Sequence, residues 1–179
     1  MMPETCSIES VVLYKASDFP YGWQKDTTLL EGGRYVDSCI WDGYLFTSRW
    51  RDEAQGLYVI DLQDAAEEPM KITDDKALLR NGGSVFEYGG DLYRPAQYCQ
   101  NYYGENLAMY RIKNLSSDSY EEEFVRFMNS RDFEWSAKGG HHFNTTVFNG
   151  RRVVVMDGKV RDNWINNRTR KFFNAKKSE

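Results

Sequence analysis

The sequence predicts an all-β protein built from repeated antiparallel units, and three observations support this prediction. Aromatic residues make up 15% of the 179 residues, and flat rings pack well on pleated sheets. Short alternating apolar runs are separated by turns that contain glycine. One hairpin pattern also occurs three times along the chain. We therefore expect little helix.

The chain opens with a strand, a turn and a second strand within residues 8–30, where SVVLYKASD is followed by FPY and GWQKDTTLL. No copy of the repeated hairpin precedes this segment. It is therefore interpreted as the outer half of a repeat unit.

The repeated hairpins are SCIWDGYLFTS, SVFEYGGDLYRPAQ and TTVFNGRRVVVMDG. Their turns are the pairs Asp42-Gly43, Gly89-Gly90 and Asn149-Gly150. Such pairs strongly predict tight hairpins, because both central residues of the turn need a positive φ.

Two further strands follow each of the first two hairpins. The third strands are GLYVIDL and NLAMYRI, and the fourth are PMKIT and EFVRFM. The turn glycines stand at positions 43, 90 and 150, a spacing of 47 and 60 residues. Four strands in units of this size predict the blades of a partial β-propeller.

About three blades are represented, and a propeller needs at least about four to close its ring. Earlier blades, a second copy of the chain (a homo-oligomer) and an open stack all remain alternatives. The predicted organisation is a single domain over 1–165 with an outer half-blade at 8–30, blades at 34–75 and 80–128, an inner half-blade at 139–160, and a basic tail at 166–179.

The composition excludes several classes of partner and cofactor. A net charge of −4 without a cluster of cations in the body of the chain gives no reason to expect nucleic acid. No run of about 20 apolar residues and no signal peptide is present, so we expect no membrane partner and a cytoplasmic location. Cys6, Cys39 and Cys99 lack metal-ligand spacing, which predicts reduced thiols, no metal and no cofactor.

Candidate catalytic residues come from the first strand of each hairpin, which lines the channel of a propeller. Counting six residues back from each turn glycine gives Asp37, Ser84 and Asn144. Glycoside hydrolysis needs two carboxylates, so the catalytic candidates are Asp37 and Glu87, which is near Ser84 in sequence but on the opposite side of its strand by alternation. Asp37 has an alternative role as a cap of the turn between Tyr35 and Cys39.

The segment around Pro95 supplies candidate ligand-binding residues. Proline lacks a backbone donor, so this strand is either bulged or placed where no neighbour needs the N–H group. Arg94 and Gln97 carry groups suited to a sugar acid or a sugar phosphate. Alternatively, Arg94 ties neighbouring blades together through a carboxylate or carbonyl groups.

His141 and His142 are the only histidines in the chain, and they lie just before the third hairpin. Alternation turns one inward and the other outward. His142 and Asn144 are therefore further candidate ligand-binding residues, with hydrogen bonding or packing as the alternative role. Further ligands for a metal site are not evident.

Several of these motifs resemble one family. LYKASDFPYGWQKDTTLL, the D-S-x-I strand, the core G-x-L-x-R-P-A-Q-x-C followed by Y-G, and HHFNTTVFNGRRVVVMDG together resemble the N-terminal propeller domain of glucosamine inositolphosphorylceramide transferases. The resemblance covers about residues 10–160. Tyr98 departs from it, because family members carry Asp before the cysteine.

The family domain is similar to the five-bladed propellers of furanosidase-like glycoside hydrolases, so the resemblance implies a five-bladed fold of which this chain is the C-terminal part. It also implies a carbohydrate or sugar phosphate as partner. Glycosyl transfer in the family belongs to a separate domain. We expect a module that binds a sugar or sugar derivative without catalysis. A glycoside-processing enzyme and a protein interaction module are the alternatives.

Overall fold

The computed structural model of the protein describes residues 1–3, 7–51, 53–63, 69–128 and 133–160. The predicted basic tail at 166–179 lies outside these residues. Strands dominate the described part, which contains one short 3₁₀ helix, Glu134–Ser136, and no α-helix. None of its helical segments approaches the length and apolarity required to cross a membrane.

Within the described residues, twelve strands form four antiparallel sheets that follow one another along the chain. Sheet 1 contains β1 (Ser10–Asp18) and β2 (Gly22–Glu31). Sheet 2 contains β3 (Tyr35–Trp41), β4 (Tyr44–Arg49), β5 (Gly56–Asp61) and β6 (Met70–Thr73). Sheet 3 contains β7 (Phe86–Tyr88), β8 (Asp91–Tyr98), β9 (Asn106–Leu115) and β10 (Tyr120–Phe127). Sheet 4 contains β11 (Phe143–Phe148) and β12 (Arg151–Met156).

The three predicted hairpins are confirmed as the pairs β3–β4, β7–β8 and β11–β12. Asp42 and Asn149 adopt positive φ, as do both glycines of the Gly89-Gly90 turn. The fourth strand of sheet 3 begins at Tyr120, three residues before the predicted start. The glutamates at its beginning are therefore part of a strand rather than of a loop.

Apolar clusters fill the space between successive sheets, so the sheets pack face to face in chain order. Between sheets 1 and 2 the cluster contains Val11, Leu45 and Ile60. Between sheets 2 and 3 it contains Phe46, Val85 and Ile112. Between sheets 3 and 4 it contains Leu107, Met109 and Phe143. Each junction buries side chains from both neighbouring sheets, which holds the stack together.

Residues 74–85 connect sheets 2 and 3, and their middle part runs alongside β8. Gln97 N donates to Arg80 O at 2.8 Å, and Gly82 N donates to Pro95 O at 2.8 Å. Between these bonds, Asn81 forms a bridge with Ala96. The connection is thus fixed to sheet 3 before β7 begins.

Pro95 determines how sheet 4 docks. The β8–β9 register runs from Leu92 to Tyr98 without a shift, so the bulge is the wrong alternative for this strand. Pro95 has no N–H group to donate to Gly82 O, and this carbonyl instead accepts Phe143 N at 2.6 Å. Because Pro95 of β8 cannot donate, the carbonyl of Gly82 remains available to accept a hydrogen bond from β11, the first strand of sheet 4.

The last sheet ends the described stack with an open edge. Among the described strands, β12 pairs with β11 alone. Val153, Val155 and Phe148 lie on the face of sheet 4 opposite Phe143 and are 42%, 61% and 66% exposed. None of the four described sheets closes on itself.

Candidate functional site

Asn81 connects three of the residues that the sequence identified. Its side-chain Nδ2 donates to Asp37 O at 3.0 Å, and its Oδ1 accepts Arg94 Nη1 at 3.4 Å. Its backbone carbonyl accepts Gln97 Nε2 at 2.8 Å. Sequence reasoning missed Asn81, for which the only signal is its position before the Gly82-Gly83 pair.

Asp37 lies in β3 and forms a two-point ion pair with Arg80. Arg80 Nε donates to Asp37 Oδ2 at 2.5 Å, and Nη2 donates to Oδ1 at 3.1 Å. Burial disfavours the guanidinium charge, but the bond and the charge of Asp37 outweigh it and raise the pKa of Arg80. Asp37 adopts a φ of 53°, at a shift in the β3–β4 register.

Arg94 is fully buried and is bound within its own sheet. Its Nε and Nη2 donate to the Glu122 carboxylate at 2.8 and 2.6 Å, and Tyr120 donates to the same carboxylate at 2.6 Å. The guanidinium also lies 5.0 Å from the Tyr110 ring centre. Burial disfavours its charge, but Glu122 raises its pKa overall. These are the contacts of a structural arginine. Arg94 bonds a carboxylate, as in the alternative to ligand binding, but this carboxylate belongs to its own sheet and not to a neighbouring one.

A cavity of about 430 Å³ opens where sheets 2 and 3 meet, and we call it the Arg80 cavity. It lies between the end of β4, the 74–85 connection and the loop that joins β8 to β9. Its size falls within the range of small-molecule sites. The described residues that line it are Trp50, Arg51, Lys76, Ala77, Arg80, Gln97, Cys99, Asn101, Tyr102 and Tyr103.

Aromatic rings hold the cations of this cavity. The guanidinium carbons of Arg51 and Arg80 lie 5.7 and 5.3 Å from the centre of the Trp50 ring. Arg80 also lies 5.3 Å from the Tyr103 ring centre. Cation–π contacts of this kind fix the position of a guanidinium without neutralising its charge. Burial raises the pKa of Tyr103, so its hydroxyl stays protonated at neutral pH.

Gln97 lines the cavity and carries a buried, unpaired acceptor. Its side chain is 2% exposed, and its Nε2 is occupied by the carbonyl of Asn81. That bond fixes the amide orientation, because a carbonyl only accepts. Among the described residues, nothing donates to Gln97 Oε1. An unpaired buried acceptor costs about 1–3 kcal/mol, so this atom is a candidate acceptor for a ligand hydroxyl or a water molecule.

His142 and Asn144 form a second group at the junction of sheets 3 and 4. Asn144 Nδ2 lies 2.7 Å from His142 Nε2, and Asn144 Oδ1 accepts the backbone N–H of Ser84 at 2.9 Å. His142 is exposed, whereas His141 is half-buried between Tyr103 and Asp157. The Asn144 contact fastens sheet 4 to the chain before β7.

Glu87 lies apart from the Arg80 cavity. It is exposed in the short strand β7, and its backbone carbonyl accepts Arg152 Nη2 at 3.1 Å. Asp37 lies in sheet 2, whereas Glu87 lies in sheet 3, and Asp37 is bound to Arg80. The two carboxylates that the sequence proposed as a catalytic pair thus lie in different sheets.

Neither described cysteine belongs to a metal site. Cys39 is buried and Cys99 is half-buried, and both are free thiols. Within the described residues, no cluster of three or more His, Cys, Asp or Glu side chains is placed to hold a metal ion.

Comparison with known proteins gives one family and several relatives. The family described as glucosamine inositolphosphorylceramide transferase 1, N-terminal, matches residues 1–159. The chain is 28% identical over 182 residues to the glucosamine inositolphosphorylceramide transferase 1 of Oryza sativa subsp. indica, covering 88% of this chain and 24% of that protein. It is 29% identical over 178 residues to the protein of that name from Arabidopsis thaliana, covering 88% and 23%.

The chain thus spans about a quarter of the length of these curated relatives, at 24% and 23%. No solved structure matches the chain.

Proposed function

The chain belongs to the family of glucosamine inositolphosphorylceramide transferase N-terminal domains, and on this premise we propose that it binds a sugar or sugar derivative in the Arg80 cavity without catalysing a reaction. The relatives carry the name of a sugar, glucosamine, in their own names. The cavity combines aromatic rings with polar groups, the surfaces that sugar rings and their hydroxyl groups favour.

The observation that carries this proposal is the unpaired Oε1 of Gln97. A sugar hydroxyl donates one hydrogen bond and accepts others, so it can satisfy this atom and interact with a nearby guanidinium. Tyr102 and Tyr103, 40% and 49% exposed, supply ring surface at the other side of the cavity.

Isothermal titration against a panel of monosaccharides tests the proposal. We expect binding to the wild-type chain and loss of that binding in Gln97→Met, which removes the acceptor at nearly constant volume. Gln24→Met, an exposed position in β2, is the matched control and should bind like wild type. Thermal unfolding monitored by circular dichroism verifies that both variants fold. Absence of heat with every sugar would contradict the proposal.

We also propose that the four sheets are blades of a five-bladed β-propeller. In support, two complete four-stranded sheets are flanked by sheets that hold two strands each. Their face-to-face packing in chain order is the arrangement of successive blades. Low-resolution electron microscopy of a longer family member tests the ring and its blade number.

A glycoside-processing enzyme is a weaker candidate, because Asp37 is bound to Arg80 and Glu87 is separate from it. Glu87→Gln provides the cleaner test, since Glu87 is exposed and its replacement should leave folding unchanged. Hydrolysis of aryl furanosides that disappears in this variant would favour the enzyme.

A second candidate function is assembly through strand pairing. The open edge of β12 carries three consecutive valines, and unpaired strand edges are templates for pairing. Size-exclusion chromatography with light scattering tests it. A concentration-dependent dimer that Val154→Lys abolishes would support assembly, whereas a monomer at all concentrations would contradict it.

A further inference from the structure

The Arg80 cavity is strongly biased toward positive charge. Its described lining contains three cations, Arg51, Lys76 and Arg80, and no carboxylate. The whole chain carries a net charge of −4, so this local composition is opposite to that of the protein. The carboxylate of Asp37, in β3, balances the charge of Arg80. The other two cations, Arg51 and Lys76, have no carboxylate partner in the described lining.

Two of these cations, Arg51 and Arg80, are also held in place before any ligand arrives. Arg51 and Arg80 both contact the ring of Trp50, and the ion pair with Asp37 fixes Arg80 further. The backbone of Arg51 has a φ of 62°, which is uncommon for a residue other than glycine. A positioned guanidinium loses little freedom when it binds an anion, so more of the interaction energy contributes to affinity.

Lys159 extends the positive region along the loop between β8 and β9. Its ammonium lies 5.4 and 5.7 Å from the ring centres of Tyr102 and Tyr103, and it donates to the Tyr103 carbonyl. This contact brings a residue that follows sheet 4 to a wall of the cavity in sheet 3.

Resting on the proposed sugar binding, we propose that the Arg80 cavity selects sugars that carry an anionic group, a phosphate or a carboxylate, over neutral sugars. Arg51 and Lys76 receive the anion, and Gln97 Oε1 accepts a hydroxyl of the sugar. Sequence reasoning assigned the anion to Arg94. The structure instead buries Arg94 against Glu122 and leaves Arg51 and Lys76, both exposed, at the cavity.

Isothermal titration of the full chain with matched ligands tests this proposal. The probes are glucose, galactose and mannose, their 6-phosphates, their uronates, and inorganic phosphate alone. We expect the phosphates and uronates to bind at least about tenfold more tightly than the neutral sugars, because hydrogen bonds to a charged group are stronger than those between neutral groups. Comparison of the phosphates with the uronates distinguishes the two sources of negative charge.

Arg51→Gln and Lys76→Gln should each weaken binding of the anionic sugars about tenfold and weaken binding of the neutral sugars much less, so the preference for anionic sugars should fall. Lys15→Gln, an exposed change in β1, should affect neither. Equal affinity for neutral and anionic sugars would overturn the charge selection and leave sugar binding intact. Inorganic phosphate that binds as tightly as the sugar phosphates, or no binding of any probe, would contradict sugar binding itself.

Discussion

Arg80 and Asp37 join the 74–85 connection to sheet 2 through two parallel hydrogen bonds, with Nε to Oδ2 at 2.5 Å and Nη2 to Oδ1 at 3.1 Å. Arg80 belongs to the 74–85 connection and Asp37 to β3, so the pair fixes one wall of the cavity to sheet 2. Both side chains are less than one-fifth exposed, at 19% and 18%.

Asp37→Asn should therefore destabilise the fold. The amide keeps the size of the side chain but leaves the partly buried guanidinium without its counter-charge, at a cost of about 1–3 kcal/mol. Urea denaturation measures the change. Asp42→Asn is the matched control, because Asp42 also has a positive φ but is exposed. Equal effects of the two substitutions would show that the ion pair contributes nothing.

Arg94→Ala should be more damaging, because it leaves Glu122 with a nearly buried charge. Removing one partner of a buried pair costs about 3–5 kcal/mol. The neighbouring pair Arg111–Glu123 is 34% and 44% exposed and screened by solvent, so Arg111→Ala should destabilise the fold much less than Arg94→Ala does. Urea denaturation of the two variants compares a buried with an exposed ion pair in the same sheet. A small effect of Arg94→Ala would contradict its structural role.

Gly83→Ala should separate sheet 4 from sheet 3. Gly83 has a φ of 150°, and an added Cβ would lie 1.9 Å from Phe143 O, next to the bond that docks β11. Overpacking against backbone of this kind costs about 3 kcal/mol. Gly89→Ala meets nothing within 4 Å, so it should show only the φ penalty of about 1–2 kcal/mol. Limited proteolysis should cut within residues 139–160 of Gly83→Ala first, and protection there would count against the docking scheme.

Cys39 should make stability fall at alkaline pH. Burial raises the pKa of its thiol from 9.0 to about 11. Between these values the unfolded thiol ionises while the folded one stays protonated, so the free energy of unfolding falls by up to about 2–3 kcal/mol as pH rises. Below pH 9 this loss is absent. Cys39→Ala should have a flatter profile between pH 9 and 11.

Cys99→Ala is the control for that measurement, since Cys99 is half-buried in the cavity wall. Its urea denaturation profile should follow that of wild type. Identical slopes for wild type and Cys39→Ala would refute a shifted thiol at position 39.

The strands could be predicted from the sequence because the information is local. Asp42-Gly43 and Asn149-Gly150 require a particular turn geometry, and alternation then fixes the flanking strands. The role of Arg94 could not be predicted in this way, because its partner Glu122 lies 28 residues away on a strand that is not its direct neighbour.

The cavity could not be predicted from the sequence either, because its residues are also distant from one another along the chain. Three separate segments supply the cavity residues: Trp50 directly follows β4, Arg80 lies in the 74–85 connection, and Gln97 lies in β8. None of the three belongs to a sequence motif with the others. Gln97 was identified from its chemistry beside Pro95, but its unpaired oxygen depends on Asn81, which occupies the amide nitrogen.

The most direct measurement of sugar binding in the Arg80 cavity follows the Gln97 side-chain amide by ¹H–¹⁵N NMR, with its signal assigned by its absence in Gln97→Met. On titration with the monosaccharides and their 6-phosphates, we predict saturable shifts of this amide and of the Trp50 indole, while the Trp23 indole on sheet 1 stays unchanged. Saturable shifts confined to residues outside the cavity, or none at all, would contradict the account.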